Sequence, residues 1–369
     1  MDASPRRRNV SPPRPYQPLV SITLPTHPET KTVATMKAMQ IQEAGGDFQA
    51  VELPIPEPGP NEVRVAVEAC GICHSDAFVK EGLWPELELP RVPGHEVAGR
   101  VDAVGDAVVG YEPGDRVGVG WHGGHCFHCE ACRDGDFIAC ENATVCGISY
   151  DGGYAEYLVA PQEALARIPD ALDAADAAPL LCAGITTYNA LRNTGAQPGD
   201  LVAVEGVGGL GHLGIQYARR MGFHVVALSR GPDKEELARE LGAHDYIDTR
   251  AQNPAEALQA LGGARVILET APSAEAATAV VDGLGRSGEL VLVGASQEPM
   301  QVSAMQLIMA RRSISGWPSG DASDSQDTLD FSALADITPR IETYPLEEAN
   351  EAYERMITNA ARFRVVLEP

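Results

Sequence analysis

The stretch Leu201-Val-Ala-Val-Glu-Gly-Val-Gly-Gly-Leu-Gly211 decides how the second half of this 369-residue sequence is read. Its first five residues are an apolar run of the length and kind that a buried parallel strand needs. Glycines at G-x-G-x-x-G spacing follow at once. Gly206 allows a tight turn, Gly208 lets the backbone approach a pyrophosphate, and Gly211 lets helix and strand pack closely. Leu210, Leu213, Gly214, Tyr217, Ala218 and Met221 then fall on one helical face. The N-terminus of that helix offers N–H donors and a positive dipole end to phosphates. Glycines alone are a weak signal. Their place between a strand and a helix, with a second strand at 225–228, turns them into a dinucleotide-binding reading.

The alternation continues with a helix at 233–241, a strand at 266–268, a helix at 273–284 ending at Gly285, and a strand at 290–293. This is the pattern of a doubly wound α/β domain with a parallel sheet, here 184–322. Before it, from Met36 to about residue 183, short strand-like runs (63–69, 96–104, 116–119) alternate with Pro and Gly turns, which suits a compact β-barrel. Residues 316–325 read as turn-rich, 347–356 as helical and 363–367 as a strand.

Two groups of metal-binding residue types stand out. Cys126-Phe-His-Cys129-Glu-Ala-Cys132, followed by Cys140, can close a Cys₄ zinc with no open position, a site that stabilises a lobe (120–142) rather than doing chemistry. The nearby His122, His125 and His128 are not needed for it. The second group begins at Cys70-Gly-Ile-Cys-His-Ser-Asp76, continues at Gly94-His-Glu96, and has an isolated partner in Cys182. Two thiolates and one imidazole leave the fourth position of a tetrahedral zinc free for water or substrate. Taken singly, each such Cys or His reads as a buried core residue, and spacing alone does not single out Cys182. Cys70 and Cys146 are left over as unbonded thiols.

The totals exclude several classes. A net charge of −24 would repel nucleic acid. No run of eighteen apolar residues is present to span a membrane. Eight Cys at short spacings read as metal ligands in a reducing, cytoplasmic setting rather than as a disulfide framework. The acidic balance has two explanations, a coding bias that favours Arg over Lys or adaptation to salt. Residues 1–35 differ in kind, with Pro throughout and the basic run Arg6-Arg-Arg8. They read as a disordered extension, with Met36 as the natural start.

Gly71-Ile-Cys-His-Ser-Asp76, Pro93-Gly-His-Glu96 and Cys182-Ala-Gly-Ile-Thr-Thr-Tyr188 resemble, in order and interval, three motifs of the zinc-dependent medium-chain alcohol dehydrogenases. The sequence is similar to the bacterial and yeast-type members, and the resemblance runs from about Met36 to the C-terminus. It implies a chaperonin-10-like β-barrel catalytic domain of 36–183 and 323–369 around a Rossmann domain, and two zinc ions per chain. Cys73, His95 and Cys182 would hold the catalytic zinc, and Cys126, Cys129, Cys132 and Cys140 the structural one. The implied reaction is reversible hydride transfer between a primary alcohol or aldehyde and a nicotinamide, in a homodimer or homotetramer.

By the same resemblance Ser75 bonds the substrate oxygen and takes its proton, Asp76 orients a ligand imidazole, and Glu96 stands behind the zinc. His74 lies near the cofactor phosphates, and Trp84 and Trp121 line a narrow substrate pocket. Gly209, Leu210, Val293 and Arg364 join Gly206, Gly208 and Gly211 around the cofactor. One departure is Phe78, where many members have a relay His; a phenyl ring cannot carry a proton. A non-catalytic, zinc-stabilised member of the fold is the competing reading, and would lack a ligand or the hydroxyl. A zinc-free quinone reductase would lack the cysteine motifs.

The cofactor reading turns on the end of the second strand. An NAD enzyme usually carries an acid there for the adenosine ribose. Here the strand runs into Ser229-Arg230, with Lys234 a turn later. Without the carboxylate a 2′-phosphate is not repelled, and Arg230 can clamp it, so NADP(H) is favoured over NAD(H). The blander alternative makes Arg230 a solvated loop residue, with NAD held through Ser229.

Overall fold

The computed structural model describes residues 34–369. The expected extension therefore lies outside the described residues, except for Ala34 and Thr35. Thr35 is not tail: it opens strand β1 (Thr35–Gln40), which pairs antiparallel with β2 (Gln49–Pro54). Met36 faces inward and is 5% exposed.

The first sheet is built on β3 (Glu62–Ile72), where Val63, Val65 and Val67 alternate inward as period-two patterning requires. Around it lie β4 (Val97–Val104) and β5 (Arg116–Val119). The separate β6 (His122–Gly124) and β7 (Thr144–Val145) pair with each other beside the cysteine-rich lobe. Next come β8 (Tyr157–Pro161), which pairs with β3, and β9 (Leu165–Arg167).

The second sheet follows: β10 (Leu201–Glu205), β11 (His224–Ser229), β12 (Asp245–Asp248), β13 (Ala264–Glu269), β14 (Leu284–Leu292) and β15 (Ser313–Gly316). All five pairings are parallel, in the order β12-β11-β10-β13-β14-β15. The order reverses between β10 and β13, the switch point where such sheets bind ligands at their strand carboxyl ends. The chain then returns to the first sheet through β16 (Ile341–Pro345) and β17 (Arg364–Glu368), giving β16-β17-β3-β4-β5-β9. Val202 and Val204 on one face of β10 join a core with Ala177, Leu181 and Val366; Leu201 and Ala203 on the other pack with Leu258 and Leu290. Among the described residues no helix is long and apolar enough to cross a membrane.

Two boundaries differ from the sequence reading. The helix expected at 273–284 is Ala274–Val280, capped by Ser273, and the chain enters β14 at Leu284 after one 3₁₀ turn. Leu284 already pairs with Ala264, so the strand runs through glycines that read as a turn. The turn-rich stretch 316–325 gives way early to a helix, Ala322–Leu334. The Asp321 carboxylate accepts the N–H groups of Ser323 and Asp324, and Asp324 returns the favour to the Asp321 N–H, a capping box. Its Ser- and Asp-rich composition is weakly helical by itself. Tertiary packing of Ser325, Thr328, Leu329 and Ser332 decides the matter.

Candidate active site

The loop that carries Cys73 to Asp76 follows β3. Cys73 caps a 3₁₀ turn, His74–Asp76: its Sγ accepts the Ser75 N–H at 3.3 Å, while the Asp76 carboxylate accepts the Cys73 N–H at 2.9 Å. His74 is exposed and Ser75 half-buried, whereas Asp76 is buried. Asp76 uses its other oxygen on His95 Nδ1, at 3.3 Å, and accepts the Tyr154 hydroxyl at 3.0 Å. A carboxylate on Nδ1 fixes the imidazole so that Nε2 is free to act as a ligand. That Nε2 lies 3.1 Å from Cys73 Sγ.

Cys182 arrives from the other half of the chain. The helix Ala174–Pro179 widens into a π turn, Leu180–Gly184, before resuming as Ile185–Arg192. Such bulges re-aim side chains and recur at functional sites. Here the bulge leaves Cys182 half-buried with Sγ 3.9 Å from Cys73 Sγ. The ligand atoms of Cys73, His95, Glu96 and Cys182 all lie within 4.8 Å of one another.

These distances test the zinc reading. A Zn–S bond of about 2.3 Å gives a tetrahedral S···S edge of about 3.8 Å, far beyond the roughly 2.05 Å of a disulfide. The Cys73–Cys182 separation fits the tetrahedron. So does the other group, with Cys140 Sγ 3.8 Å from Cys129 Sγ and 3.6 Å from Cys126 Sγ. Both donor sets suit a thiophilic divalent cation. In the lobe, backbone N–H groups from His128 and Cys129 pull the Cys126 thiol down to about 5, while burial and its neighbours push Cys132 up to about 12. At the first group, the proton shared with Cys182 and the charge of His95 hold Cys73 well below the usual thiol range. Burial opposes charge on His95, but the Cys73 and Asp76 charges outweigh it and raise its affinity for a proton.

Glu96 sits behind this cluster, fully buried. A Cβ at position 71 would lie 1.9 Å from its Oε2, so only glycine fits at Gly71. The Arg364 guanidinium, also buried, donates to Glu96 Oε1 and to the Ile72 carbonyl. Glu96 Oε2 has no partner among the described residues. Burial raises Glu96 to about 7 even with Arg364 against it.

Aromatic rings pack against His95 and one another. Trp121 meets His95 edge to face at 5.1 Å, Trp84 packs on Trp121 at 5.7 Å, and Phe78 closes on Trp84 at 5.6 Å. Phe78 thus stands in the same aromatic group as the two Trp.

At the nucleotide end, Gly206 has φ +94°, and a Cβ on Gly211 would strike the Gly206 carbonyl at 1.8 Å. Among the described residues nothing lies within 4 Å of a Cβ built on Gly208, and Gly209 faces Arg364 Nη1. Leu210 opens the helix Gly211–Arg220, and the Val293 N–H is spent on the Glu269 carbonyl. Ser229 is buried and Arg230 exposed. Lys234 folds back onto the glycine turn, its Nζ donating to the Val207 carbonyl at 2.7 Å.

Four residues here gave no sequence signal. Tyr154, in a Gly-Gly-Tyr turn, carries nothing that marks its hydroxyl as a partner of Asp76. His212 lies beside the apolar helix stripe and is fully buried. Glu205 and Glu269 end adjacent strands in register, buried on one face, each with an Oε2 that has no partner among the described residues. An acid ending an apolar strand reads as the strand's exit to solvent; these two do not exit.

Residues 59–170 match the family described as alcohol dehydrogenase GroES-like domain, and 209–334 the family described as zinc-binding dehydrogenase. The alcohol dehydrogenase patD of Penicillium expansum is 46% identical over 336 residues, covering 91% of this chain and 98% of that protein. An alcohol dehydrogenase of Geobacillus stearothermophilus is 39% identical over 335 residues, 90% of this chain and 99% of its own length. The solved cinnamyl alcohol dehydrogenase of Sorghum bicolor superposes with a TM-score of 0.83 at 31% identity, over 91% of this chain and 98% of that one. With a GroES-like domain joined to a parallel nucleotide-binding sheet, and relatives matched over nine-tenths of its length, the chain belongs to the zinc-type medium-chain alcohol dehydrogenases and is an oxidoreductase.

Proposed function

We propose that the chain is a nicotinamide-dependent alcohol dehydrogenase acting in both directions on small primary alcohols and their aldehydes, with NADP(H) preferred. The observation that carries the reading is the convergence of Cys73, His95 and Cys182, with the two sulfurs at a tetrahedral-edge separation and Asp76 holding the far nitrogen of the imidazole. These three residues would hold a catalytic zinc, and Cys126, Cys129, Cys132 and Cys140 a structural one. When bound, the catalytic ion supplies Lewis acidity that makes a hydroxyl easier to deprotonate or a carbonyl easier to reduce.

Everything else falls to the chain. Ser75, half-buried two residues after the Cys73 cap, accepts the substrate's hydroxyl proton and returns it in the reverse direction. Phe78 carries no proton, so the path onward runs through the cofactor ribose, exposed His74 or water. Trp84, Trp121 and Phe78 exclude water and leave room for narrow, unbranched carbon chains. Glu96, buried behind the ligands and paired with Arg364, balances charge there, and Arg364 reaches toward the glycine turn that would hold the pyrophosphate. Arg230 and Lys234, with no acid at the end of β11, would take a 2′-phosphate.

The test is a panel of primary and secondary alcohols and aldehydes assayed with both cofactors, alongside Ser229→Asp/Arg230→Gly. NADP(H) should give the higher kcat/KM in the wild type, and the double variant should reverse the ranking. A wild-type preference for NAD(H) of roughly tenfold, about 1.4 kcal/mol, would sink the cofactor reading, and failure on every alcohol and aldehyde would sink the rest.

A further inference from the structure

The glycine turn is held by a residue that the proposed chemistry does not use. His212 is fully buried in the first turn of the helix Gly211–Arg220. Its Nδ1 lies 2.9 Å from the Gly208 carbonyl, which can only accept, so Nδ1 carries the proton. Nε2 must then be unprotonated, and it accepts the Arg340 N–H at 3.2 Å. Both contacts demand the same neutral tautomer. Burial pushes His212 down to about 4, which keeps it in that form. Its ring packs on Phe363, with centroids 5.1 Å apart.

The consequence follows from peptide geometry. In a trans peptide the carbonyl of one residue and the N–H of the next point in opposite directions. The Gly208 carbonyl also accepts the His212 N–H at 3.1 Å, so it points into the helix. The Gly209 N–H therefore points out of the helix N-terminus, among the donors offered to a phosphate. Gly208 and Gly209 carry no side chains that could hold this peptide plane sterically, and glycine makes its reversal easy. The imidazole adds a second bond to the one backbone N–H that holds this carbonyl.

The other arm reaches further. The Arg340 carbonyl accepts the N–H groups of Phe363 and Arg364, and the Arg364 side chain contacts Glu96 behind the ligand cluster. One imidazole thus links the turn to the strand that bears Arg364.

We propose that His212 is a positioning residue that locks the Gly208–Gly209 peptide with its N–H toward the cofactor pyrophosphate and registers the turn against the Arg340–Arg364 segment. The proposal rests on the reading of the glycine turn as the dinucleotide site. The two arms can be separated by chemistry. An Asn side chain puts an amide N–H near the place of Nδ1 and keeps the Gly208 bond. A Gln side chain puts its amide near Nε2 and loses that bond.

The experiment measures cofactor KM, kcat and aldehyde KM for wild type, His212→Ala, His212→Asn and His212→Gln, with NADPH affinity from direct fluorescence titration. Removing the buried side-chain bond to the Gly208 carbonyl and leaving the Arg340 N–H without its acceptor should raise cofactor KM and Kd roughly tenfold in His212→Ala, while kcat and aldehyde KM stay near wild type. His212→Asn should recover most of the loss and His212→Gln little. Wild-type cofactor affinity in His212→Ala, or equal recovery by Gln and Asn, would overturn the proposal; the second result would mean that the ring merely fills space. Should His212→Ala not fold, the Asn and Gln variants decide alone. A wild-type protein that binds no nicotinamide dinucleotide would instead refute the site reading itself.

Discussion

Replacing Glu205 and Glu269 by Gln should make the protein's stability far less sensitive to alkaline pH. The two acids end β10 and β13 side by side, buried on the same face. Burial raises Glu205 to about 7 against the moderating charge of Arg230. Burial, then repulsion from Glu205, raises Glu269 to about 9 despite the Ala271 N–H that it accepts. An acid whose affinity for protons is higher folded than unfolded adds no penalty below the unfolded value near 4.5. Above it, the unfolded chain ionises freely while the folded one resists, so stability falls until pH passes the folded value. Between about pH 6 and about pH 9, at 1.36 kcal/mol per pH unit, the pair should cost the native state on the order of 5 kcal/mol, most of it through Glu269. The amides keep the size and lose the titration. Urea unfolding by far-ultraviolet circular dichroism at several pH values, with zinc and ionic strength fixed, reads the difference directly. Wild type should fall away from the double variant as pH rises, and Glu269→Gln alone should recover the larger share. Parallel curves for wild type and double variant would show that the two carboxyls reach solvent and do not share a buried charge problem.

Two further outcomes follow from the site. Cys73→Ala should abolish turnover and leave a folded chain with about one zinc, whereas Cys129→Ala should chiefly lower the unfolding midpoint, since a closed Cys₄ site contributes folding energy; metal analysis beside thermal melts separates them, and equal loss of folding in both contradicts the division. Trp84→Ala opens the wall formed with Trp121 and Phe78, so kcat/KM for branched or bulkier alcohols should rise relative to short ones, and an unchanged ranking would place the substrate elsewhere.

Periodicity and glycine spacing carried most of the nucleotide-binding sheet, because strand, turn and helix there are set by local residues. The four-cysteine group was legible from its own spacing; grouping Cys73 and His95 with Cys182 rested on the resemblance of three short motifs, and Cys182 depended on it entirely. What stayed hidden was tertiary. Asp321 begins a helix that composition disfavours, and Leu284 starts a strand because Ala264 is beside it. Tyr154 finds Asp76 across 78 residues, and His212 finds Arg340 across 128. No pattern along the chain records such meetings. Glu205 shows the limit most clearly: as a letter it ends a strand, and only the register with β13 makes it half of an acid pair.

The place of β17 bears on how the molecule is made. It pairs with β3 inside the first sheet, and Arg364 donates to a carbonyl 292 residues earlier. The strands of the other sheet all lie in between, within one continuous stretch. During synthesis that continuous stretch can therefore close its sheet first, while the ligand loop waits for a strand not yet made. Until Arg364 arrives, Glu96 lacks the guanidinium that is the larger of the charges offsetting its own. A nascent chain held before that strand would hold its cysteines and histidine near one another without the final fixed geometry, so metal loading at Cys73, His95 and Cys182 should be a late event, after the nucleotide-binding half has formed.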